Sequence, residues 1–262
     1  MADTTHTLES EGVGSQGVGA HQAGSQGAGV HGTVTTSPRS GAAAPASGAS
    51  FPGPRPNPTS LLRSPAQSLA ADMAAASSEG PDGVSLREIP FALQLGIRAH
   101  QGGAAADRIT QVLGVALPDS AGRTTGDPDG AHCVWLSPDE FLLVDVSRTH
   151  EPGVADAAAA ALDDDRPGAG RAPGQVLDLS GNRTVLELSG EPARAVLEKG
   201  CHVDLHPRAF PVGAAVSTLV GPVQMIVHRA HEDTFRLLPR SSFAEYTVRW
   251  LLDAMLEFRD PR

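Results

Sequence analysis

Three side chains that can bind a metal, or act together as nucleophile and base, lie close together in the chain. They are Cys201, His202 and His206. Thiolate sulfur and imidazole nitrogen are the ligands that Zn²⁺ prefers in proteins. However, His206 precedes Pro207, which favours extended backbone, so the two histidines are not expected to share a helix face. No second group of paired ligands lies nearby in the sequence, and we therefore predict a structural loop here instead of a metal site.

Other chemical interpretations of the sequence are also weak. A nucleophilic Cys201 needs a base that lowers its pKa, but with 10 histidines in the chain one is expected nearby by chance. The run Asp163-Asp164-Asp165 offers paired carboxylates, but such runs usually lie in solvated loops. No glycine-rich segment follows a strand and opens a helix, as dinucleotide binding requires. The sequence therefore predicts no catalytic, cofactor-binding or metal-binding residue in this chain.

Composition restricts the partners and the compartment. A net charge of −10 argues against nucleic acid and anionic membranes as partners. The two cysteines, Cys133 and Cys201, form no disulfide framework, and no basic patch followed by an apolar core opens the chain. No run of about eighteen apolar residues is present, so no membrane span is expected. We therefore predict a cytoplasmic protein.

The sequence divides into a low-complexity tail and one domain. Residues 14–17 recur as residues 24–27, and residues 51–58 are rich in proline. The whole of residues 1–80 is poor in apolar side chains, with Phe51 as its only aromatic residue. Such a segment cannot bury enough apolar surface to offset the entropy of ordering. We predict that residues 1–80 are a disordered tail and that residues 81–262 form the folded domain.

The elements that position Cys201 are an alternating strand at 184–188 and a short helix that begins near Pro192 and stops before Gly200. Elsewhere the pattern predicts helices at 104–113 and 154–162, strands at 91–97 and 234–238, and hairpins at 132–136 with 141–146 and at 215–220 with 223–228. This mixture of hairpins and helices predicts an α+β fold with largely antiparallel sheets and packed helices.

The last helix has the clearest pattern. Ser242 and Glu245 have the spacing of a capping box. Apolar residues then follow helical spacing from Phe243 through Tyr246 and Trp250 to Phe258. A single apolar stripe needs only one surface to cover it, so we predict a helix that packs on the domain's own core.

Several spaced motifs resemble one family. They are residues 135–143 (Trp-Leu-Ser-Pro-Asp-Glu-Phe-Leu-Leu), residues 178–180 (Asp-Leu-Ser) with Arg183-Thr184, residues 199–210, and residues 233–236 with 241–244. In this order they resemble the gamma subunit family of heterotetrameric sarcosine oxidase. The resemblance covers roughly residues 84–258 and leaves out the tail. It implies a fold similar to the folate-binding aminomethyltransferase-like domain.

The resemblance also implies a function. Sarcosine oxidases of this family oxidise sarcosine to glycine with O₂, form hydrogen peroxide, and pass the one-carbon unit to tetrahydrofolate. The expected partners are alpha, beta and delta subunits, which are expected to carry FAD, FMN, NAD, zinc and tetrahydrofolate. The gamma subunit of the family is not known to hold a cofactor, so the resemblance implies a non-catalytic subunit of an oxidoreductase.

Two related functions remain as alternatives. Lys199-Gly200-Cys201 also opens a motif of folate-binding proteins of the iron–sulfur assembly type. There an aromatic residue and Gly-Gln-Glu follow the cysteine, whereas residues 202–205 here are His-Val-Asp-Leu. The other alternative is an aminomethyltransferase enzyme, but without the tail the chain is short for that enzyme's additional C-terminal barrel.

The segment from Cys201 to Phe210 is predicted to contribute to a subunit interface. Pro207 and Pro211 stiffen it, which lowers the entropy lost on binding. Arg208 and Phe210 are residue types found at interface hot spots, and we assign them to the interface. The alternative for Phe210 is a place in the domain's own core.

Overall fold

The computed structural model describes residues 62–78, 80, 82–163 and 170–258. The chain divides into two compact units, Met1–Pro54 and Arg55–Arg262. The first unit lies outside the described residues, and the fold below is that of the second. Among the described residues, no helix is both long enough and apolar enough to cross a membrane.

In the described part of the chain, ten strands form two antiparallel sheets of five strands each. The first sheet has the order β1-β7-β10-β9-β8, with β1 at Ser85–Ile89, β7 at Val185–Ser189, β8 at Ala215–Val220, β9 at Val223–His231 and β10 at Thr234–Pro239. The second has the order β3-β4-β5-β2-β6, with β2 at Ala92–Ala99, β3 at Thr124–Gly126, β4 at Ala131–Ser137, β5 at Glu140–Thr149 and β6 at Gly174–Asp178. Every pairing between strands is antiparallel.

The described residues also form five α-helices: α1 at Ala70–Ala76, α2 at Ala104–Leu113, α3 at Val154–Ala160, α4 at Ala193–Glu198 and α5 at Ala244–Ala254. A 3-10 helix, Gln67–Leu69, leads into α1, and another, Ser241–Phe243, leads into α5. Helices α1, α4 and α5 pack with the first sheet in one hydrophobic cluster. Helices α2 and α3 pack with the second sheet in another.

The alternation of side chains along each strand explains why the two sheets stack. On β5, Phe141 and Leu143 join the cluster that includes α2 and α3, whereas Leu142 and Val144 belong to a third cluster. That third cluster draws residues from both sheets, including Ile226 of β9. Successive side chains of a strand point to opposite faces, so both faces of each sheet are covered. The domain therefore has four layers: helices, sheet, sheet, helices.

The predicted α+β class with antiparallel sheets is confirmed. Helix α2 has the predicted bounds, and both predicted hairpins form, with turns at Pro138-Asp139 and Gly221-Pro222. Gly221 has a φ of 56°, a left-handed conformation that glycine adopts at low cost.

The start of the ordered domain was predicted wrongly. Residues 62–78 were assigned to the disordered tail, but they include α1, and Leu69 and Met73 are each 3% exposed within the core. Ala66 and Ala76 are buried on the same side. The spacing of these four residues is helical, so the stripe was present in the sequence but masked by the alanine- and serine-rich composition around it. The rest of the predicted tail, residues 1–61, lies outside the described residues.

The predicted capping box at the last helix is also wrong. Ser241–Phe243 is a 3-10 helix, so α5 begins after Phe243 and not after Ser242. Phe243 is the N-cap residue, and no side chain forms a capping hydrogen bond there. The carboxylate of Glu245 instead accepts a hydrogen bond of 2.6 Å from the Ser68 hydroxyl. The buried stripe is shifted from the predicted one and consists of Ala244, Thr247, Val248, Leu251, Ala254 and Met255. Phe243 and Tyr246 are each 48% exposed.

Candidate functional site

The segment that the sequence singled out, residues 201–210, is a loop between α4 and β8. Asp204 Oδ1 accepts a hydrogen bond of 2.9 Å from the backbone N–H of His206. His206 Nδ1 accepts one of 3.2 Å from the backbone N–H of Arg208. These bonds stabilise a tight turn, which is the structural loop that Pro207 predicted.

The interface assignment is wrong for Phe210. Its side chain is 2% exposed and lies in the cluster that joins the first sheet to α1, α4 and α5. The alternative, a core residue, is what the structure has. Leu205 of the same loop is buried there too. Arg208 is exposed, so its assignment to an interface stays a prediction.

In the part of the chain that the structure describes, no group of three or more His, Cys, Asp or Glu side chains, including the residues considered for zinc, is arranged so that it could hold a metal ion. Cys201 is half-buried and its backbone bridges to Val220. Both cysteines are free, and burial raises the pKa of the Cys133 thiol to about 12 and the pKa of the Cys201 thiol above its usual value. Both side chains are therefore neutral thiols at neutral pH, which are poor nucleophiles.

A buried polar group lies between the two sheets, and sequence reasoning missed it. It consists of His132 on β4, Glu187 on β7, His228 on β9 and Arg236 on β10, each no more than 7% exposed. Glu187 and Arg236 each lie between two buried apolar residues of their strand, and His132 and His228 each have one buried apolar neighbour, Cys133 and Val227. The signal in the sequence was a charged or imidazole side chain inside a strand whose two faces are both apolar.

The two histidines of this group lie across the sheet–sheet boundary. Their ring centroids are 4.9 Å apart. His132 Nδ1 is 3.2 Å from the Gly130 carbonyl oxygen, whereas neither ring nitrogen of His228 has a hydrogen-bond partner among the described residues. Burial lowers the pKa of His132 to about 4. Burial, followed by the neighbouring His132 and Arg236, lowers the pKa of His228 to about 3. Both imidazoles are therefore neutral at neutral pH.

An ion-pair network holds the charged members of the group. Arg236 Nε donates to Glu187 Oε2 at 3.0 Å, and Arg87 Nη2 lies 2.5 Å from Glu187 Oε1. Arg236 Nη2 also pairs with Asp129 Oδ1 at 3.1 Å. The hydrogen bond from His231 is the main cause that lowers the pKa of Asp129. Because Asp129 belongs to the β3–β4 turn, the network connects the first sheet to the second.

A second polar arrangement lies beside a cleft of about 310 Å³ that His150 and Ser180 help to line. His150 Nε2 lies 2.6 Å from Asp178 Oδ2, and Asp178 Oδ1 accepts the Ser180 N–H at 2.9 Å. Burial raises the pKa of Asp178, but the hydrogen bonds from Ser180 and His150 outweigh it and bring that pKa below its usual value.

A His–Asp pair acts as a base only when a nucleophile donates to the other ring nitrogen. Among the described residues no hydroxyl or thiol hydrogen-bonds to His150 Nδ1. Ser180 Oγ instead accepts a hydrogen bond of 3.0 Å from the backbone N–H of Gln94. The arrangement therefore connects the ends of β5 and β6 and is not set up as a catalytic dyad or triad.

Comparison with known proteins identifies relatives over most of the domain. A family model described as sarcosine oxidase, gamma subunit family, matches residues 98–257. The sarcosine oxidase subunit gamma of Corynebacterium sp. (strain U-96) is 46% identical over 200 residues, which are 76% of this chain and 93% of that protein. The corresponding subunit of Arthrobacter sp is 46% identical over 203 residues, which are 78% of this chain and 94% of that protein.

A solved structure agrees with these relatives. A chain of heterotetrameric sarcosine oxidase from Corynebacterium sp. U-96, in complex with pyrrole 2-carboxylate, superposes with a TM-score of 0.69 and 44% sequence identity. The superposition covers 77% of this chain and 98% of that chain. The folded domain therefore matches nearly the whole length of its structural relative.

Proposed function

Because the chain belongs to the sarcosine oxidase gamma subunit family, we propose that it is the gamma subunit of a heterotetrameric sarcosine oxidase. One observation carries this proposal: the domain covers 98% of a chain of such an enzyme at 44% identity. Similarity that extends over a whole chain supports the same place in an assembly, because the surfaces that contact other subunits are included in the match.

We further propose that this subunit carries out no chemistry itself. The described residues hold their reactive groups in unreactive forms. Both thiols are protonated, and the His132–His228 pair is neutral and almost fully buried. His150 has a carboxylate partner but no nucleophile hydrogen-bonded to Nδ1. Its contribution to the enzyme is then structural, through contacts with the other subunits.

The reaction of the complete enzyme would proceed on the other subunits. Sarcosine loses two electrons together with one hydrogen from its N-methyl carbon and one proton from its nitrogen, which leaves a C=N double bond, and O₂ takes up the two electrons and two protons to form hydrogen peroxide. Tetrahydrofolate accepts the one-carbon unit as methylenetetrahydrofolate, and glycine is released. We propose that alpha, beta and delta subunits carry the FAD, FMN, NAD, zinc and tetrahydrofolate that this requires.

Two measurements test the proposal. The isolated chain, mixed with sarcosine and FAD, should form no hydrogen peroxide above a control without protein, and turnover would contradict the non-catalytic role. The chain co-expressed with alpha, beta and delta subunits should purify with them as one complex that oxidises sarcosine. If it purifies alone and binds tetrahydrofolate on its own, the alternative of a free-standing folate-binding protein is correct instead.

A further inference from the structure

An aromatic stripe lies on α5 outside the domain's core. Phe243, Tyr246 and Trp250 stand at positions i, i+3 and i+7, so they share one flank of the helical segment. Phe243 and Tyr246 are each 48% exposed, and Trp250 is half-buried. The core side of α5 is already covered by its own buried stripe. Trp250 packs partly against the core, whereas the exposed rings of Phe243 and Tyr246 are not needed to complete this domain.

Trp250 is held in a fixed position at the end of this stripe. A Cβ atom built at Gly200 would lie 2.6 Å from Trp250 Cζ2, so the loop after α4 passes directly against the indole ring. Gly221, in the β8–β9 turn, also contacts the ring. A side chain fixed in this way loses little entropy when a partner covers it, which is what an interface anchor requires.

A pair of arginines adjoins the stripe. Arg183 and Arg240 form an antiparallel β-bridge. Arg183 Nη1 donates to the Leu238 carbonyl at 3.0 Å, and Arg240 Nη1 donates to Asn182 Oδ1 at 3.1 Å. The Phe243 N–H donates to the Arg240 carbonyl at 2.8 Å, so Arg240 lies one turn before the start of the aromatic stripe.

The charge of these arginines is not neutralised by an ion pair within the described part of the domain. Among the residues that the structure describes, neither guanidinium has a carboxylate within ion-pair distance. Burial and then the neighbouring Arg240 lower the pKa of Arg183, whereas the carboxylate of Glu140 on β5 raises it without forming an ion pair. In a chain of net charge −10, these two adjacent cations have no ion-paired carboxylate among the described residues, and an external carboxylate would pair with them.

We propose that this arginine–aromatic surface, formed by Arg183, Arg240, Phe243, Tyr246 and Trp250, binds an acidic and partly apolar surface of another sarcosine oxidase subunit. The inference rests on the proposed function, which supplies the other subunits. Charge complementarity selects a carboxylate-bearing partner. Arginine, tyrosine and tryptophan are the residue types that carry most of the binding energy at interfaces, and here they occur together.

The test uses the full chain co-expressed with the alpha, beta and delta subunits. Two variants change exposed side chains of the surface: Arg240→Glu reverses a charge and Tyr246→Ser removes an aromatic ring. Two matched controls lie elsewhere in the domain. Arg148→Glu reverses an exposed charge on β5, and Val112→Ser removes an apolar side chain of α2 that is 54% exposed. The thermal midpoint of each isolated chain is measured beside the dissociation of the assembled complex on dilution.

We expect both surface variants to dissociate at about thirty-fold higher concentration than the natural complex, which corresponds to a hot-spot loss of about 2 kcal/mol. Raising the salt concentration should weaken the natural complex more than the Arg240→Glu complex, because a favourable charge pair is screened. The two control variants should assemble normally, and all four isolated chains should keep their thermal midpoints.

Other results would overturn the inference. If the natural chain assembles and both surface variants assemble equally well, the surface is not an interface, and the proposed function stands. If the natural chain does not assemble at all, the proposed function fails and the inference falls with it. If the isolated chain forms a dimer that Tyr246→Ser abolishes, the surface binds a second copy of this chain instead. Should Arg240→Glu fail to fold, the Tyr246→Ser result decides.

Discussion

Replacing Met73 by alanine tests whether the segment before residue 81 belongs to the folded domain. Met73 is 3% exposed and lies on α1, where it packs in the same cluster as Leu69 and the helices of the first sheet. If this packing is correct, the substitution removes buried apolar surface. If residues 62–78 do not pack on the domain, the substitution removes no buried apolar surface and should not change the stability.

The surroundings of Met73 set the size of the effect. Truncating a buried methionine or leucine to alanine costs about 2–5 kcal/mol, and the upper part of that range belongs to closed cavities. Met73 also lines an apolar groove of about 560 Å³ between α1 and β1. The truncation would enlarge that groove, which opens to solvent, so the cost of an empty cavity is small. We therefore expect a loss of about 2–3 kcal/mol.

Polar contacts add to the attachment of this segment. Ser64 Oγ donates to Glu88 Oε2 at 2.5 Å, and the Ala66 N–H donates to Glu88 Oε1 at 3.0 Å. A chain shortened to begin at residue 82 would lose these bonds together with the apolar contacts of Leu69 and Met73. It should therefore be less stable than the Met73→Ala variant.

Equilibrium unfolding in urea of the isolated full-length chain measures this prediction. The midpoint should fall while the dependence on urea concentration stays constant, because the same surface is exposed on unfolding. Leu62→Ala serves as the control, since Leu62 is 56% exposed and its change should stay within about 0.5 kcal/mol. Equal midpoints for the two variants would show that α1 does not pack on the domain, and the reasoning would be refuted.

Three further predictions concern buried groups. The pKa values of His132 and His228 are about 4 and about 3 in the folded chain but about 6.5 in the unfolded chain. The unfolded chain therefore binds protons more strongly, and lowering the pH below about 6.5 favours unfolding. At pH 5 each histidine should lower the free energy of unfolding by about 2 kcal/mol. His228→Leu should therefore reduce the difference between urea midpoints at pH 7 and pH 5, and an unchanged difference would contradict the lowered pKa. Glu187→Ala leaves the buried Arg236 guanidinium without its closest buried partner. The free energy of unfolding should therefore fall by about 3–5 kcal/mol. A loss below about 1 kcal/mol would mean that the ion pair is solvated. Phe210→Ala should destabilise the isolated chain by about 3–5 kcal/mol, and an unchanged melting temperature would return this residue to the interface.

Local patterns in the sequence were sufficient to predict most of the helices and strands. The helix at 104–113 ends before Gly114, which has a φ of 70°, and the turn chemistry of Pro138-Asp139 and Gly221-Pro222 fixed both hairpins. These features depend on a few neighbouring residues. They could therefore be predicted without knowing what the element packs against.

Features that depend on distant parts of the chain could not be predicted in this way. Glu245 has capping-box spacing with Ser242, but a hydroxyl 177 residues away, that of Ser68, binds its carboxylate. Alternation along β9 predicted a strand, yet it did not reveal that a second sheet covers the face that carries His228. Periodicity shows which side chains share a face and not what covers that face.

The position of β1 in the chain affects how the protein can fold during synthesis. This strand pairs with β7 and with no other strand of the described residues, yet Glu187, the partner of Arg87, lies 100 residues further along the chain. The whole second sheet, from β2 to β6, is made in between. A ribosome that adds 5–20 residues per second needs roughly 5 to 20 seconds to cover that distance. The second sheet receives its last strand, β6, shortly before β7 is made, and until then β1 has both edges unpaired and open to pairing with other chains.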